Sequence, residues 1–229
     1  MNLYFLLEGR RTEKRLYGSW LPHLLPSFSR VDFFDEVESN NYFLFSGEGY
    51  PSLLDLHLPN ALKDISRTGK YSHLVVCLDA DECTTVDREQ EVQQAINLYP
   101  KELAGTRPVV VVQNRCIETW LLGNRKVISR NPQSETLREY KQFYDVIDND
   151  PELMGVHPDF TLHAPFHHDY LRAAFRERSL HYAKARPGHA CDITFLTELQ
   201  RRVTEAPNEL KSLGGFFNFC AALQQAASP

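Results

Sequence analysis

Acidic residues stand directly after the most apolar stretches of this chain. Glu8 follows Leu3 to Leu7, Asp79 and Asp81 follow His73 to Leu78, and Glu118 comes soon after Val109 to Val112. Carboxylate oxygens are the hard ligands that magnesium and manganese take, and magnesium draws few of them from protein, keeping water and phosphate oxygens for the rest. Separated carboxylate stations of this kind are suited to a one- or two-ion site, where one ion activates water and another stabilises a departing oxygen. A spacing of two puts the side chains of Asp79 and Asp81 on one side if the segment stays extended. Gly9, behind Glu8, lets the backbone turn sharply toward a following helix. Acids after strands also cap helices and form turns, and an Asp-X-Asp pair alone serves either purpose. Capping does not, however, require matching acids at the ends of separate strands.

The elements that must position these acids are legible as four β-prone runs: Leu3 to Leu7, Tyr42 to Phe45, His73 to Leu78 and Val109 to Val112. They are nearly continuously hydrophobic, which suits strands buried on both faces of a parallel sheet. Ligands of such sheets collect beyond the carboxyl ends of the strands, where the acids fall. Helices are expected over Thr12 to Leu21, over "SLLDLHLPNAL" from Ser52, where Pro59 kinks or divides the segment, and over Asp87 to Leu98. The stretch 131–166 contains several prolines and the acids Asp145, Asp148, Asp150 and Glu152, and reads as a connector with a helix around Glu135 to Val146. Beyond it, helices are expected over Asp169 to Tyr182, Asp192 to Val203 and Asn208 to Ala226, with Pro187 and Gly188 as a break. The expected fold is therefore α/β: a mainly parallel central sheet of about four strands flanked by helices, with a helical C-terminal part. Residues 1–130 form the core, and 131–229 form a connector and helical extension packing on it.

With 229 residues, 42% hydrophobic and 24% charged, the composition is that of an ordinary globular chain. A net charge of −5 argues against coating DNA by bulk electrostatics, although a bound divalent ion reverses the local sign. Arg10, Arg11, Lys14 and Arg15 cluster near the start, and Arg172, Arg176, Arg178, Lys184 and Arg186 cluster later; each group reads as phosphate contacts or as a solvated helix face. Five cysteines without a CxxC pair indicate neither a disulfide framework nor a zinc ribbon, and fit a reducing cytosol. The opening Met-Asn-Leu-Tyr-Phe-Leu-Leu-Glu has no basic leader and is too short to span a membrane, so a soluble, cytoplasmic protein is expected. His163 and His167 have the spacing of a helical metal pair, but Pro165 between them disfavours the helix that would align them. "SGEGYPS" lacks the Gly-Lys-Ser/Thr of a phosphate-binding loop. "SLGGFF" reads as a helix break before an aromatic face, Trp120 to Leu122 as packing for the helix bearing Glu118, and Cys77 as a core residue.

Taken in order, these segments resemble a family. "LLEGRRTEKRL" is similar to the opening strand and glutamate of Toprim domains, and "HLVVCLDADE" to their later strand carrying Asp-X-Asp. Toprim domains occur in overcoming-lysogenization-defect (OLD) nucleases among others, and "VVVVQNRCIETWLLGN" more narrowly resembles the Ile-Glu-X-Trp-Leu-Leu segment of small bacterial Toprim proteins of the DUF4276 and RloB-like sort. "HYAKARPGH" and "GGFFNFCAAL" resemble that group's lysine and closing aromatic helix. The resemblance implies Glu8 as metal ligand and general base, Asp79 and Asp81 as metal ligands, and Glu118 as a ligand or supporting acid. Lys184 would be the cation facing transition-state charge, with Glu13 and Glu82 in support and Arg10, Arg11 and Lys14 toward nucleic acid. It further implies a Mg2+- or Mn2+-dependent nuclease cutting DNA or RNA, tRNA included, in bacterial anti-phage defence. Such a nuclease would act beside a separate ABC/AAA-type ATPase and as a homo-oligomer. The alternative is a non-catalytic Toprim-like binding or scaffold subunit. Arg10 and Arg11 depart from the small or polar residues expected beside the first glutamate.

Overall fold

A computed structural model of the chain describes residues 1–103 and 105–227. In chain order it contains β1 (Asn2–Leu7), α1 (Thr12–Leu24), β2 (Ser29–Val31), β3 (Asn41–Ser46), α2 (Leu58–Thr68), β4 (His73–Asp79), α3 (Thr85–Asn97), α4 (Pro100–Leu103) and β5 (Arg107–Gln113). Then follow α5 (Ile117–Leu121), α6 (Glu135–Phe143), α7 (His163–Glu177), α8 (Ile193–Glu205) and α9 (Lys211–Ala227). The strands form one five-stranded sheet in the order β2-β3-β1-β4-β5. β1 runs parallel to both β3 and β4, and β2 runs parallel to β3. β5 joins in the same direction: Arg107 N–H bonds the Ser72 carbonyl at its start, and Ala80 N–H bonds the Gln113 carbonyl at its end, both at 2.9 Å. The fold is thus α/β with a parallel central sheet and a helical C-terminal part, and it has one strand more than expected. The extra strand, β2, is three residues of mostly exposed Ser-Arg-Val without an apolar run to announce it.

The chain divides into two compact units. The first comprises Met1–Leu78, Val86–Val112 and the chain from Asn218 onward. Every residue of β1 is buried, as a strand covered on both faces requires. Alternation sends Tyr4 and Phe5 to opposite faces: the Tyr4 hydroxyl donates to Asp64 of α2 at 3.2 Å, while the Phe5 ring lies 6.5 Å from Tyr17 of α1. Pro59 does not break its segment: a π-helical turn, Leu53–His57, runs directly into α2, with His57 and Leu58 both right-handed helical, and Pro59 falls where the wider π turn gives way to α-helix.

The second unit comprises Asp79–Thr85 and Gln113–Phe217. Two expectations fail here. α7 begins at His163 and contains Pro165, so the histidine pair does share a helix, with ring centroids 5.8 Å apart. Pro165 sits in the first turn, whose N–H groups have no intrahelical acceptors, and there proline starts helices as readily as it breaks them elsewhere. "SLGGFF" likewise does not break a helix, since Gly214 and Gly215 lie inside α9. A Cβ on Gly214 would come 3.2 Å from Val203 of α8, so its hydrogen admits a close helix approach. Buried Arg202 ties the unit together: it donates to the Gly123, Val146 and Asn149 carbonyls at 3.2, 2.7 and 2.8 Å and pairs with Glu209 at 2.7 Å. The acidic connector also has work to do, because Asp150 and Glu152 accept the Leu210 and Ser212 N–H groups where α9 begins. No described helix is long and apolar enough to cross a membrane.

Candidate functional site

In the first unit, Glu8 leaves β1 with its N–H donated to the Cys77 carbonyl of β4 at 2.9 Å. Its carboxylate accepts the Tyr50 N–H at 3.2 Å and its carbonyl the Gly49 N–H at 3.2 Å. The "SGEGYPS" loop, set aside as not a phosphate loop, therefore holds Glu8. Tyr50 is itself anchored: its hydroxyl donates to Glu91 at 2.5 Å, and the Arg88 guanidinium lies 4.2 Å from its ring centroid while pairing with Glu91 at 2.7 Å. Two glycines after a strand gave a faint signal for such a cradle. A Cβ on Gly9 would meet the Glu13 carboxylate at 1.7 Å, so any larger residue there displaces that side chain. Glu13 is thereby buried at the head of α1. Arg10 pairs with Glu48 at 2.8 Å, with both side chains exposed, and Arg11 and Lys14 are exposed.

The second unit holds the remaining acids. Asp79 is the last residue of β4. Asp81 does not continue the extended path, since its φ of 53° is left-handed and Cys83 N–H closes a turn onto the Ala80 carbonyl at 3.0 Å. The two-residue alternation expected of Asp79 and Asp81 thus breaks at a turn that aspartate tolerates better than most residues. The Arg115 carbonyl accepts the Asp81 N–H at 2.8 Å and fixes that turn. Glu82 points elsewhere: it accepts the His163 N–H at 2.9 Å and meets His163 Nδ1 at 2.6 Å, closing the start of α7. Burial alone would raise its pKa, but the bonds from His163 outweigh burial and the group lies low.

Glu118 is buried on α5, and its carboxylate accepts the Tyr182 hydroxyl at 3.0 Å. It acts electrostatically on the same thiol as Asp79. Burial first, then Glu118 and Asp79, push Cys116 well above the ordinary thiol range. His168, whose ring lies 5.7 Å from that of Tyr182, is held neutral chiefly by burial; Glu118 opposes this and Lys184 reinforces it. Glu118 thus has Tyr182, His168 and the exposed Lys184 around it and shares Cys116 with Asp79, whereas Glu82 is bound by His163. Tyr182 and His168 were not singled out for this role; the only sequence hint was their place beside "AKARPGH" and in the histidine-rich stretch.

No protein-family model, curated protein or solved structure matches the chain. Its chemistry rests on its own residues.

His167 is buried on α7 beside α5, its Nδ1 2.8 Å from the Thr119 hydroxyl, and burial drives its pKa down to about 3. Trp120 is buried as expected, stacked 5.8 Å from Phe216 and donating to Ser212 at 2.7 Å. Cys77 is also a core residue, its thiol pushed up to about 12 by burial. Among the described residues, no group of three or more His, Cys, Asp or Glu side chains is gathered to hold a metal ion. Magnesium needs only one or two protein carboxylates, with water and phosphate completing its shell. Asp79 and Glu118, whose fields converge on Cys116, fit that donor requirement in kind.

Proposed function

We propose that the chain is a magnesium- or manganese-dependent nuclease that cleaves phosphodiester bonds of DNA or RNA. On this reading it is a Toprim-type nuclease of the OLD/RloB-like/DUF4276 kind, working in the cytoplasm as the effector of bacterial anti-phage defence under a separate ABC/AAA-type ATPase. The observation that carries the reading is the strand order. β1 and β4 are paired neighbours running in one direction, and each is closed by an acid, Glu8 and Asp79. The crevice beyond such strand ends is where open parallel sheets bind ligands. A bound divalent ion would lower the pKa of water and neutralise phosphate charge. Asp79, Asp81 and Glu118 are the candidate oxygen donors of the second unit, and Glu8 is the strand-end acid of the first. The Tyr182 hydroxyl orients the Glu118 carboxylate, and Lys184, exposed in the same neighbourhood, offsets negative charge developing on the phosphate. Arg10, Arg11 and Lys14, all exposed near the end of β1, are basic groups that would face a strand there, Arg10 from its pair with Glu48.

A second reading is a Toprim-like subunit that binds a partner without catalysis. Calorimetric titration with Mn2+ separates the two. Saturable binding by the wild-type chain that is lost in Asp79→Asn and weakened in Asp81→Asn supports the nuclease; no binding by any of the three supports the scaffold.

A further inference from the structure

The second unit carries a basic hollow that none of the acids above explains. A concave space of about 640 Å³ is lined by Arg125, Lys126, Arg130, Arg178 and Arg201, with Glu205 as its single lining acid. So dense a positive lining stands out on a chain of net charge −5. Three of the cations are steadied by acids at the rim or behind it: Arg125 by Glu209 at 3.2 Å, Lys126 by Glu198, and Arg201 by Glu198 at 2.7 Å. The other two form no ion pair. No acid among the described residues lies at ion-pair distance from Arg130 or Arg178, and the Arg178 side chain makes only a 3.4 Å bond to the Val127 carbonyl. Glu177, next to Arg178, spends its carboxylate on the Gln133 and Ser134 N–H groups at 2.5 and 3.1 Å and feels Arg178 without forming an ion pair with it. Two exposed guanidiniums facing a hollow and held on ordered backbone are the arrangement that recognises phosphate oxygens.

Lys126 and Arg178 also line an adjoining hollow of about 360 Å³. Its walls include the apolar Val127, Leu180 and Phe195 and the ring of His189. That volume falls within the roughly 300–1,000 Å³ typical of small-molecule sites, which are mostly apolar with a few placed polar groups. A charged hollow opening beside an apolar one suits a ligand with a phosphate at one end and a flat, weakly polar body at the other.

We propose that the two hollows together bind a nucleoside phosphate, the phosphate against Arg130 and Arg178 and the base against Leu180 and the ring of His189. The ligand is either a free nucleotide or one nucleotide of a single strand, since both present the same chemistry. The assignment does not depend on metal-assisted cleavage, because binding can be read in EDTA.

The test uses the full-length chain in EDTA with three probes: inorganic phosphate, AMP, and a fluorescently labelled single-stranded oligonucleotide. Arg130→Glu/Arg178→Glu is expected to weaken AMP or the oligonucleotide at least tenfold and, for the oligonucleotide, to flatten the salt dependence by about one log unit per lost phosphate contact. Arg176→Glu, exposed on α7 but outside the hollow, should bind as wild type. Leu180→Trp should weaken AMP while leaving phosphate unchanged. An effect on AMP identifies a free nucleotide, and an effect confined to the oligonucleotide identifies a strand. Wild-type chain that binds none of the probes, or a charge-reversed chain with native circular dichroism that binds them as tightly as wild type, overturns the proposal.

Discussion

Tyr182 gives the buried Glu118 carboxylate its hydroxyl partner, which makes the pair a sensitive place to perturb the second unit. Tyr182→Phe removes one donor and no ring, so unfolding in urea should show a loss of about 1–3 kcal/mol, the cost of leaving a buried polar group short of a bond. Lys184→Ala, at an exposed position, should leave stability within about 0.5 kcal/mol and lower cleavage instead. His167 predicts an acid dependence. Its folded pKa, about 3, lies below the ordinary value of 6.5, so between those values the unfolded chain binds the proton and the folded chain does not. Stability from this group is complete above pH 6.5 and is lost as pH falls toward 3, by about 1.4 kcal/mol per pH unit. Urea midpoints measured from pH 7 to 4 should fall accordingly, and His167→Gln should flatten that fall; a parallel slope in the variant would remove His167 as the cause.

Among the elements, Gly9 and Arg202 carry the clearest consequences. Gly9→Ala places a Cβ inside the space of the Glu13 carboxylate and should drive Glu13 from its buried place at the head of α1. Arg202→Met takes the buried donor from three carbonyls and leaves Glu209 with Arg125 alone, and should cost about 3–5 kcal/mol in thermal or urea unfolding. The main strands were legible because runs such as His73 to Leu78 are continuously apolar, a pattern that burial on both faces imposes. β2 was not, because an exposed three-residue strand has no such pattern. Pro165 and the Gly214-Gly215 pair misled because each residue type has two meanings. Proline breaks a helix interior but fits its first turn, and glycine loosens a helix unless a neighbouring helix needs the room. Asp81 misled for a related reason, since a spacing of two carries meaning only while the backbone stays extended. Glu8 and Asp79 were legible as strand-end acids, whereas the Tyr50 loop holding Glu8 and the Tyr182 hydroxyl holding Glu118 arise from contacts 42 and 64 residues apart in sequence, which no local pattern records.

At the scale of the whole molecule, the chain closes its first unit with its last segment. Cys220 and Leu223 of α9 are buried, the Phe219 ring lies 6.3 Å from His73, and Gln224 accepts the Ser27 N–H at 3.0 Å. A chain ending at Phe217 should therefore lose stability in the sheet-bearing unit, seen as a lower melting temperature and faster amide exchange in β1 and β4. The central claim, that strand-end acids of this sheet serve phosphodiester cleavage, is tested most directly by one assay. Purified wild type, Glu8→Gln and Asp79→Asn are incubated with single- and double-stranded DNA, RNA and tRNA in Mn2+, with and without any ABC/AAA-type ATPase found encoded beside it. The account predicts metal-dependent cleavage of at least one substrate by the wild type and a loss of at least a hundredfold in each variant. Equal cleavage by all three proteins would contradict it.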